Sequence, residues 1–373
     1  MADLFYYAYA SRHVISEQTY EHGVEFEIVS KSKIIDHVNI MKNILLNKEK
    51  SQKHSALFWE HFLNNEDLDI LYMSIYMGYP YSESFAETRW FMIEISDAAS
   101  ESNVYHCIIE PLSPFPKWSE KTFCKIKTLS KKGETSAEEE ALNNLFSMPA
   151  DKLKEAADKQ VFGNIGPATV IGTIRAYYVG AALCIGLIDA GGVFQGFFDL
   201  GIYGIPAGFV SHTAAGANYL EIMGQLTGAN PLTIIISHWH NDHINIINDL
   251  TPPQVNTHTW IYPESNSPVA AGFSNHLQNA GVAHLIMQNV QANLPHVTNH
   301  IINNNFSVHK MDYIANDHPH HHGIYVRIVS QLVNTILLSG DCTYAGMHAD
   351  VLNIPPPAAN SAILLQASHH GGD

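Results

Sequence analysis

A short segment rich in metal-binding side chains follows an apolar strand pattern, and it constrains the fold more than any other feature. Residues 233–236 read Thr-Ile-Ile-Ile, which is typical of a short buried strand. The chain continues as Ser237-His238-Trp239-His240-Asn241-Asp242-His243. Loops at strand ends commonly hold functional groups, and this loop offers both imidazole and carboxylate ligands within six residues.

The spacing of these side chains suits two neighbouring metal positions. Strand-like alternation would place His238 and His240 on one side of the chain, and a tight turn would direct Asp242 and His243 to a second position. Imidazole and carboxylate ligands favour zinc, with manganese or iron as alternatives. The competing interpretation is a polar loop that is rich in histidine by chance, and the apolar strand before the loop disfavours it.

Three shorter motifs lie before and after this segment. They are Phe198-Asp199-Leu200-Gly201, Leu338-Ser339-Gly340-Asp341 and Ser368-His369-His370-Gly371. With His-x-His-x-Asp-His, their order and spacing resemble the metallo-β-lactamase superfamily over about residues 168–373. The resemblance implies an α/β fold in which two mixed β-sheets form an αββα sandwich, with two divalent metal ions at the sheet edge.

The resemblance also implies a role for individual side chains. It gives Asp199 a supporting role, makes Asp341 a bridge between the two ions, and assigns His370 to the second ion. His369 would stabilise developing charge or protonate the leaving group, although His369 and His370 could exchange these roles. A water that bridges two ions becomes a hydroxide nucleophile near neutral pH, and Asp242 would orient it.

The third histidine of the first ion is open among several candidates. Many family members carry Gly-His-x-x-Gly before the Gly-Asp strand, and the His-x-x-Gly spacing to Gly323 selects His320. His318 and His322 are the competing candidates in the same histidine-rich stretch.

The late His-His-Gly motif narrows the resemblance to the branch that contains the ComEC competence-protein C-terminal domain and phosphorylcholine esterases. Of that branch's opening motif, the chain keeps only Val179-Gly180. The function implied is a metal-dependent hydrolase of a phosphoester or phosphodiester, acting on a small molecule or nucleotide. The alternatives are a carboxyl-ester, thioester or lactone hydrolase of the same fold, and a regulatory or binding module with a structural metal site.

The chain is long enough for two domains. Residues 1–165 are expected to form a separate mixed α/β domain, with strands over 24–29 and 90–95 and helices over 34–47, 137–146 and 152–159. Ser136 and Glu139 offer a capping box for the second of these helices. Residues 166–373 are expected to form the hydrolase domain, and because the chain ends three residues after His370, a truncated domain end is a further expectation.

Charge and composition make some partners less favoured. The formal net charge of −16 does not favour binding to a phosphate backbone, although metal ions could supply local positive charge for a nucleic-acid substrate. The four cysteines lack close spacings, which favours reduced thiols. No signal peptide or membrane-spanning run is evident, so we expect a cytoplasmic protein with no membrane association.

Overall fold

The computed structural model describes residues 5–15, 22–64, 68, 70–77, 89–96, 105–111, 122–130, 134–148, 165–166, 168–179, 182–202, 214–287, 299–301, 305–310, 323–329, 335–341 and 363–365. The chain divides into two compact units. The first comprises Met1–Leu112, Pro116–Pro149 and Ser265–His276, and the second comprises Ser113–Phe115, Ala150–Glu264 and Leu277–Asp373.

Six antiparallel strands of the first unit close into a barrel in the order β1-β2-β3-β5-β6-β4. Their bounds are β1 Phe5–Ile15, β2 His22–Ser30, β3 Ile70–Tyr76, β4 Trp90–Ser96, β5 Tyr105–Pro111 and β6 Thr122–Thr128. Closure comes from β1, which pairs with β4 on one side and β2 on the other. Alternate residues therefore belong to different cores: Ala8 packs with Phe26 in one cluster, whereas Tyr7 packs with Trp90 in another.

Three helices of the first unit pack on the second of these clusters, so that cluster covers the outside of the barrel. They are α1 Lys31–Ile44, α2 Lys48–Asn64 and α3 Ala137–Leu145. The Ser136 hydroxyl accepts a hydrogen bond from the Glu139 N–H at 3.1 Å and caps α3. The Glu139 carboxylate does not complete the expected capping box but forms an ion pair with Arg89 at 3.1 Å.

The second unit contains two mixed sheets. The first has the order β12-β11-β10-β9-β8-β7, with β7 Ile171–Ala176, β8 Cys184–Asp189, β9 Phe194–Leu200, β10 Thr233–Ile235, β11 Thr259–Pro263 and β12 His284–Met287. The second has the order β13-β14-β15-β16-β17, with β13 Asn299–Ile301, β14 Phe306–Lys310, β15 Ile324–Val329, β16 Thr335–Leu338 and β17 Ile363–Leu365. Strands β9 to β12 run parallel to one another, as do β16 and β17, and the remaining pairs are antiparallel.

The two sheets of the second unit share one hydrophobic core. Phe198 and Ile235 of the first sheet pack in the same buried cluster as Val308 and Val326 of the second. The remaining helices among the described residues are α4 Ala214–Leu226, α5 Asn241–Ile244, a 3-10 helix Asn245–Asp249, α6 Pro252–Thr257 and α7 Pro268–Asn279, and most of α7 belongs to the first unit. Because strands and helices occur in both units, the architecture is mixed α/β, in agreement with the α/β class expected from the sequence.

Most of the local predictions agree with the structure. The strands expected over 24–29 and 90–95 lie within β2 and β4, and the helix expected over 34–47 corresponds to α1, which ends earlier at Ile44. The helix expected over 152–159 lies outside the described residues. No helix in the described part of the chain combines the length and the apolar character that crossing a bilayer requires.

Candidate metal centre

The candidate site lies where strand ends of the two sheets of the second unit meet. The loop that carries the histidines follows β10, which runs parallel to β9 and β11, so the carboxyl ends of these strands lie at one sheet edge. Asp341 follows β16 of the other sheet. The Ile324 N–H at the start of β15 donates to the Ser237 carbonyl oxygen at 2.7 Å and joins the two sheets at this edge.

Three side chains converge there. The ligand atoms of His238, His243 and Asp341 all lie within 4.8 Å of one another, and the three residues are at most 5% exposed. His238 Nε2 is 3.7 Å from Asp341 Oδ2, and His243 Nε2 is 3.4 Å from Asp341 Oδ1. This buried group could hold one metal ion.

His240 and Asp242 lie beside this group. His240 Nδ1 is 2.9 Å from His238 Nε2, and Asp242 Oδ2 is 3.9 Å from His243 Nε2. Both residues are buried. The structure therefore gathers the two histidines at the start of the predicted segment, the Asp-His pair at its end and the distant Asp341 in one place.

The spacing of these atoms fits a bound divalent ion. Bonds of about 2.0–2.1 Å in tetrahedral geometry hold neighbouring ligand atoms about 3.4 Å apart. The distances of 3.4 and 3.7 Å from the imidazole nitrogens of His243 and His238 to Asp341 are close to that value. Imidazole and carboxylate donors are also the ligand types that zinc accepts.

Asp199 supports the site from the end of β9. Its Oδ1 accepts the Ser237 N–H at 2.6 Å, and its Oδ2 accepts the Ser237 hydroxyl at 2.7 Å and His243 Nδ1–H at 2.8 Å. With Nδ1 donating to Asp199, the His243 Nε2 atom is directed at Asp341. Asp199 has a φ of 60°, in the left-handed region, which is an uncommon conformation for a residue with a side chain.

Two glycines allow the strand ends to approach the histidine loop. A Cβ atom at Gly201 would lie 1.5 Å from the Asp242 carbonyl oxygen. Gly340 has a φ of 55°, and a Cβ atom there would lie 2.5 Å from Ser237 Oγ. The glycines of the Asp-x-Gly and Gly-Asp motifs thus have a packing role, because a side chain at either position would displace the loop.

The carboxylates control the charge of His243. Burial alone would lower the pKa of His243, but Asp341, Asp199 and Asp242 surround the ring and raise the pKa well above its ordinary value. Burial raises the pKa of Asp199, and its hydrogen bonds to His243 and Ser237 offset part of this effect. The centre therefore concentrates negative charge in a buried position, where a cation is stabilised.

Five predicted histidines lie outside the described residues. They are His318, His320, His322, His369 and His370. The third histidine of the first ion and the division of roles between His369 and His370 therefore stay predictions.

Sequence reasoning gave no role to Ser237, although the structure places its side chain among Asp199, His238 and His243. The only signal in the sequence is its position directly before His238.

Comparison of the chain with protein-family models, with curated proteins and with solved structures gave no match.

Proposed function

We propose that the protein is a dinuclear metal-dependent hydrolase with a metallo-β-lactamase αββα sandwich. The observation that carries this proposal is the buried group of His238, His243 and Asp341 at the edge of two mixed sheets that share a core. Zinc is the metal that this donor set favours, with manganese and iron as alternatives.

The arrangement around Asp341 supports a two-ion site. One carboxylate oxygen faces His238 and the other faces His243, so the carboxylate lies between two imidazoles. In our proposal, this carboxylate would hold both ions. His238, His240 and His320 would hold the first ion, and Asp242, His243 and His370 would hold the second.

Two ions bound here would contribute Lewis acidity and would lower the pKa of a coordinated water. The side chains of the protein would orient the nucleophile and protonate the leaving group. Asp242 would hold the nucleophile in line for attack, and His369 would deliver a proton to the leaving group. Burial of His238, Asp242 and Asp341 would strengthen the interactions that these side chains make.

We propose a phosphoester or phosphodiester of a small molecule or nucleotide as the substrate. The support for this class is the late His-His-Gly motif, which resembles the phosphorylcholine esterase branch. A carboxyl-ester, thioester or lactone substrate is the alternative within the same fold.

The test is metal content by elemental analysis, combined with hydrolysis of a nitrophenyl phosphodiester, a nitrophenyl phosphomonoester and a nitrophenyl carboxylate ester. We expect about two ions per chain and diester cleavage. Cleavage of the carboxylate ester alone would replace the phosphoester proposal with the alternative. A single ion and no hydrolysis of any substrate would favour a binding module with a structural metal.

The variants Asp341→Asn and His240→Ala should abolish hydrolysis. The matched control is Asp189→Asn, because Asp189 is the last residue of β8 and its carboxylate accepts the N–H groups of Gly191 and Val193 in the turn that follows. The control should keep its metal and its activity. Full hydrolysis by Asp341→Asn protein without metal would refute the mechanism.

A further inference from the structure

The Ser237 side chain lies at the junction of the candidate ligands and the residue that supports them. Ser237 is fully buried. Its Oγ is 2.7 Å from Asp199 Oδ2, 2.9 Å from His238 Nδ1 and 3.4 Å from His243 Nδ1. One hydroxyl therefore contacts a carboxylate and two imidazoles.

The number of protons determines the direction of these hydrogen bonds. A serine hydroxyl has one proton to donate, and a carboxylate oxygen can only accept. Ser237 gives its proton to Asp199, so its oxygen must accept from His238. The Nδ1 atom of His238 then carries a proton, and its Nε2 atom has a lone pair.

We propose that Ser237 is a positioning residue that fixes the tautomer and the ring orientation of His238, so that Nε2 can bind a metal ion. Asp199 does the same for His243 by direct contact, because it accepts from Nδ1–H at 2.8 Å. Ser237 extends that control to the His238 ring, whose Nδ1 atom lies 2.9 Å from the Ser237 hydroxyl oxygen. The inference rests on the proposed function in one respect, since it takes His238 to be a metal ligand.

If the hydrogen bond between Ser237 and His238 had the opposite direction, His238 Nε2 would not be available to bind a metal ion. If Ser237 donated to His238 Nδ1, the neutral ring would carry its proton on Nε2, the atom that faces Asp341. Metal binding would then require a tautomer change and loss of the bond to Ser237. The two arrangements differ in the location of one proton, so they can be distinguished by measurement.

The first test is Zn²⁺ affinity measured by calorimetry. Loss of a hydrogen bond that orients a ligand commonly weakens metal binding by about 10–100-fold, and we expect Ser237→Ala to fall in this range. Ser237→Thr keeps a hydroxyl and should recover most of the affinity. The matched control is Ser307→Ala on β14, which removes a hydroxyl 2.7 Å from His309 Nε2 and should leave the affinity unchanged.

The second test needs no variant. Long-range ¹H–¹⁵N correlation spectra of the metal-free wild-type protein report the tautomer of neutral His238. A proton on Nδ1 supports the proposal, and a proton on Nε2 overturns it, even if Ser237→Ala fails to fold. Wild-type Zn²⁺ affinity in a folded Ser237→Ala protein would also overturn it.

These readouts are independent of hydrolysis. A wild-type protein that binds Zn²⁺ through Ser237-dependent contacts but cleaves none of the esters would refute the proposed function alone. A protein that cleaves the diester equally well and binds Zn²⁺ equally tightly without the Ser237 hydroxyl would refute the positioning role alone.

Discussion

The substitution Gly201→Ala tests whether backbone packing holds the candidate metal ligands in place. A Cβ atom at this position would lie 1.5 Å from the Asp242 oxygen, 2.4 Å from the Asp242 carbonyl carbon and 3.0 Å from the His243 nitrogen. All three are backbone atoms, so no side-chain rotation can relieve the overlap. To reach ordinary van der Waals contact, the backbone segments at Gly201 and Asp242 would have to move apart by about 2 Å.

Such a movement is opposed by neighbouring hydrogen bonds. The Gly201 N–H donates to the Leu183 oxygen at 2.9 Å, and the Leu183 N–H donates to the Asp242 oxygen at 3.2 Å. Overpacking in a well-packed interior costs about 1–3 kcal/mol, and we expect the upper end here. Metal ligands tolerate displacements of only about 0.2 Å, so Zn²⁺ affinity should fall by more than about 100-fold.

The assay is urea unfolding of the metal-free protein together with Zn²⁺ calorimetry. Gly224→Ala is the matched control, because Gly224 lies in α4 and a Cβ atom there meets nothing within 4 Å. The control should be unchanged or more stable by about 0.5–1 kcal/mol, since alanine favours a helix. If Gly201→Ala matches the wild type in both measurements, the close approach of β9 to the histidine loop is not required.

Two further predictions depend on contacts within the first unit. Burial raises the pKa of Glu27 from 4.5 to about 8. The unfolded chain loses the Glu27 proton at a lower pH than the folded protein does, so the contribution of Glu27 to stability is present below pH 4.5 and is lost as the pH rises through about 8. Without this ionisable group, the Glu27→Gln variant should show a smaller decline in the free energy of urea unfolding between about pH 5 and 9. A fragment of residues 166–373 should unfold at lower urea concentration than the second unit does in the whole chain, because Ser265–His276 belongs to the first unit and Ala271 is fully buried in its core. Equal midpoints would contradict this expectation, as would an unchanged pH profile in the Glu27 variant.

The sequence predicted the parts of the structure that depend on nearby residues. Alternation of apolar side chains located β2, and an apolar run located β4. The candidate ligands after β10 were evident because they are adjacent in the chain. Alternation shows which face of a strand is buried, but it does not identify the partner strand. The pairing of β1 with β4, which closes the barrel, therefore had no signal.

At the candidate site, the role of Asp341 likewise could not be inferred from the residues next to it in the chain. A Gly-Asp pair at a strand end is usually a turn, so only the resemblance to a family gave this carboxylate a role. The contact with His238 and His243 depends on the packing of two sheets across a shared core. Ser237 was missed because the function of a hydroxyl depends on which atoms surround it, and its contact with Asp199 joins residues far apart in the chain.

Backbone contacts around Ser237 help to fix the geometry of the candidate ligands. Two strand ends reach Ser237 with a residue in the left-handed conformation: Asp199 from one sheet and Gly340 from the other. A third contact comes from the Ile324 N–H, which donates to the Ser237 oxygen. Since β9, β15 and β16 are all fixed relative to this one residue, movement between the sheets would separate His238 from Asp341. Metal binding should therefore depend on the shared core as well as on the candidate ligands, because a cavity in that core would loosen the sheets that hold them.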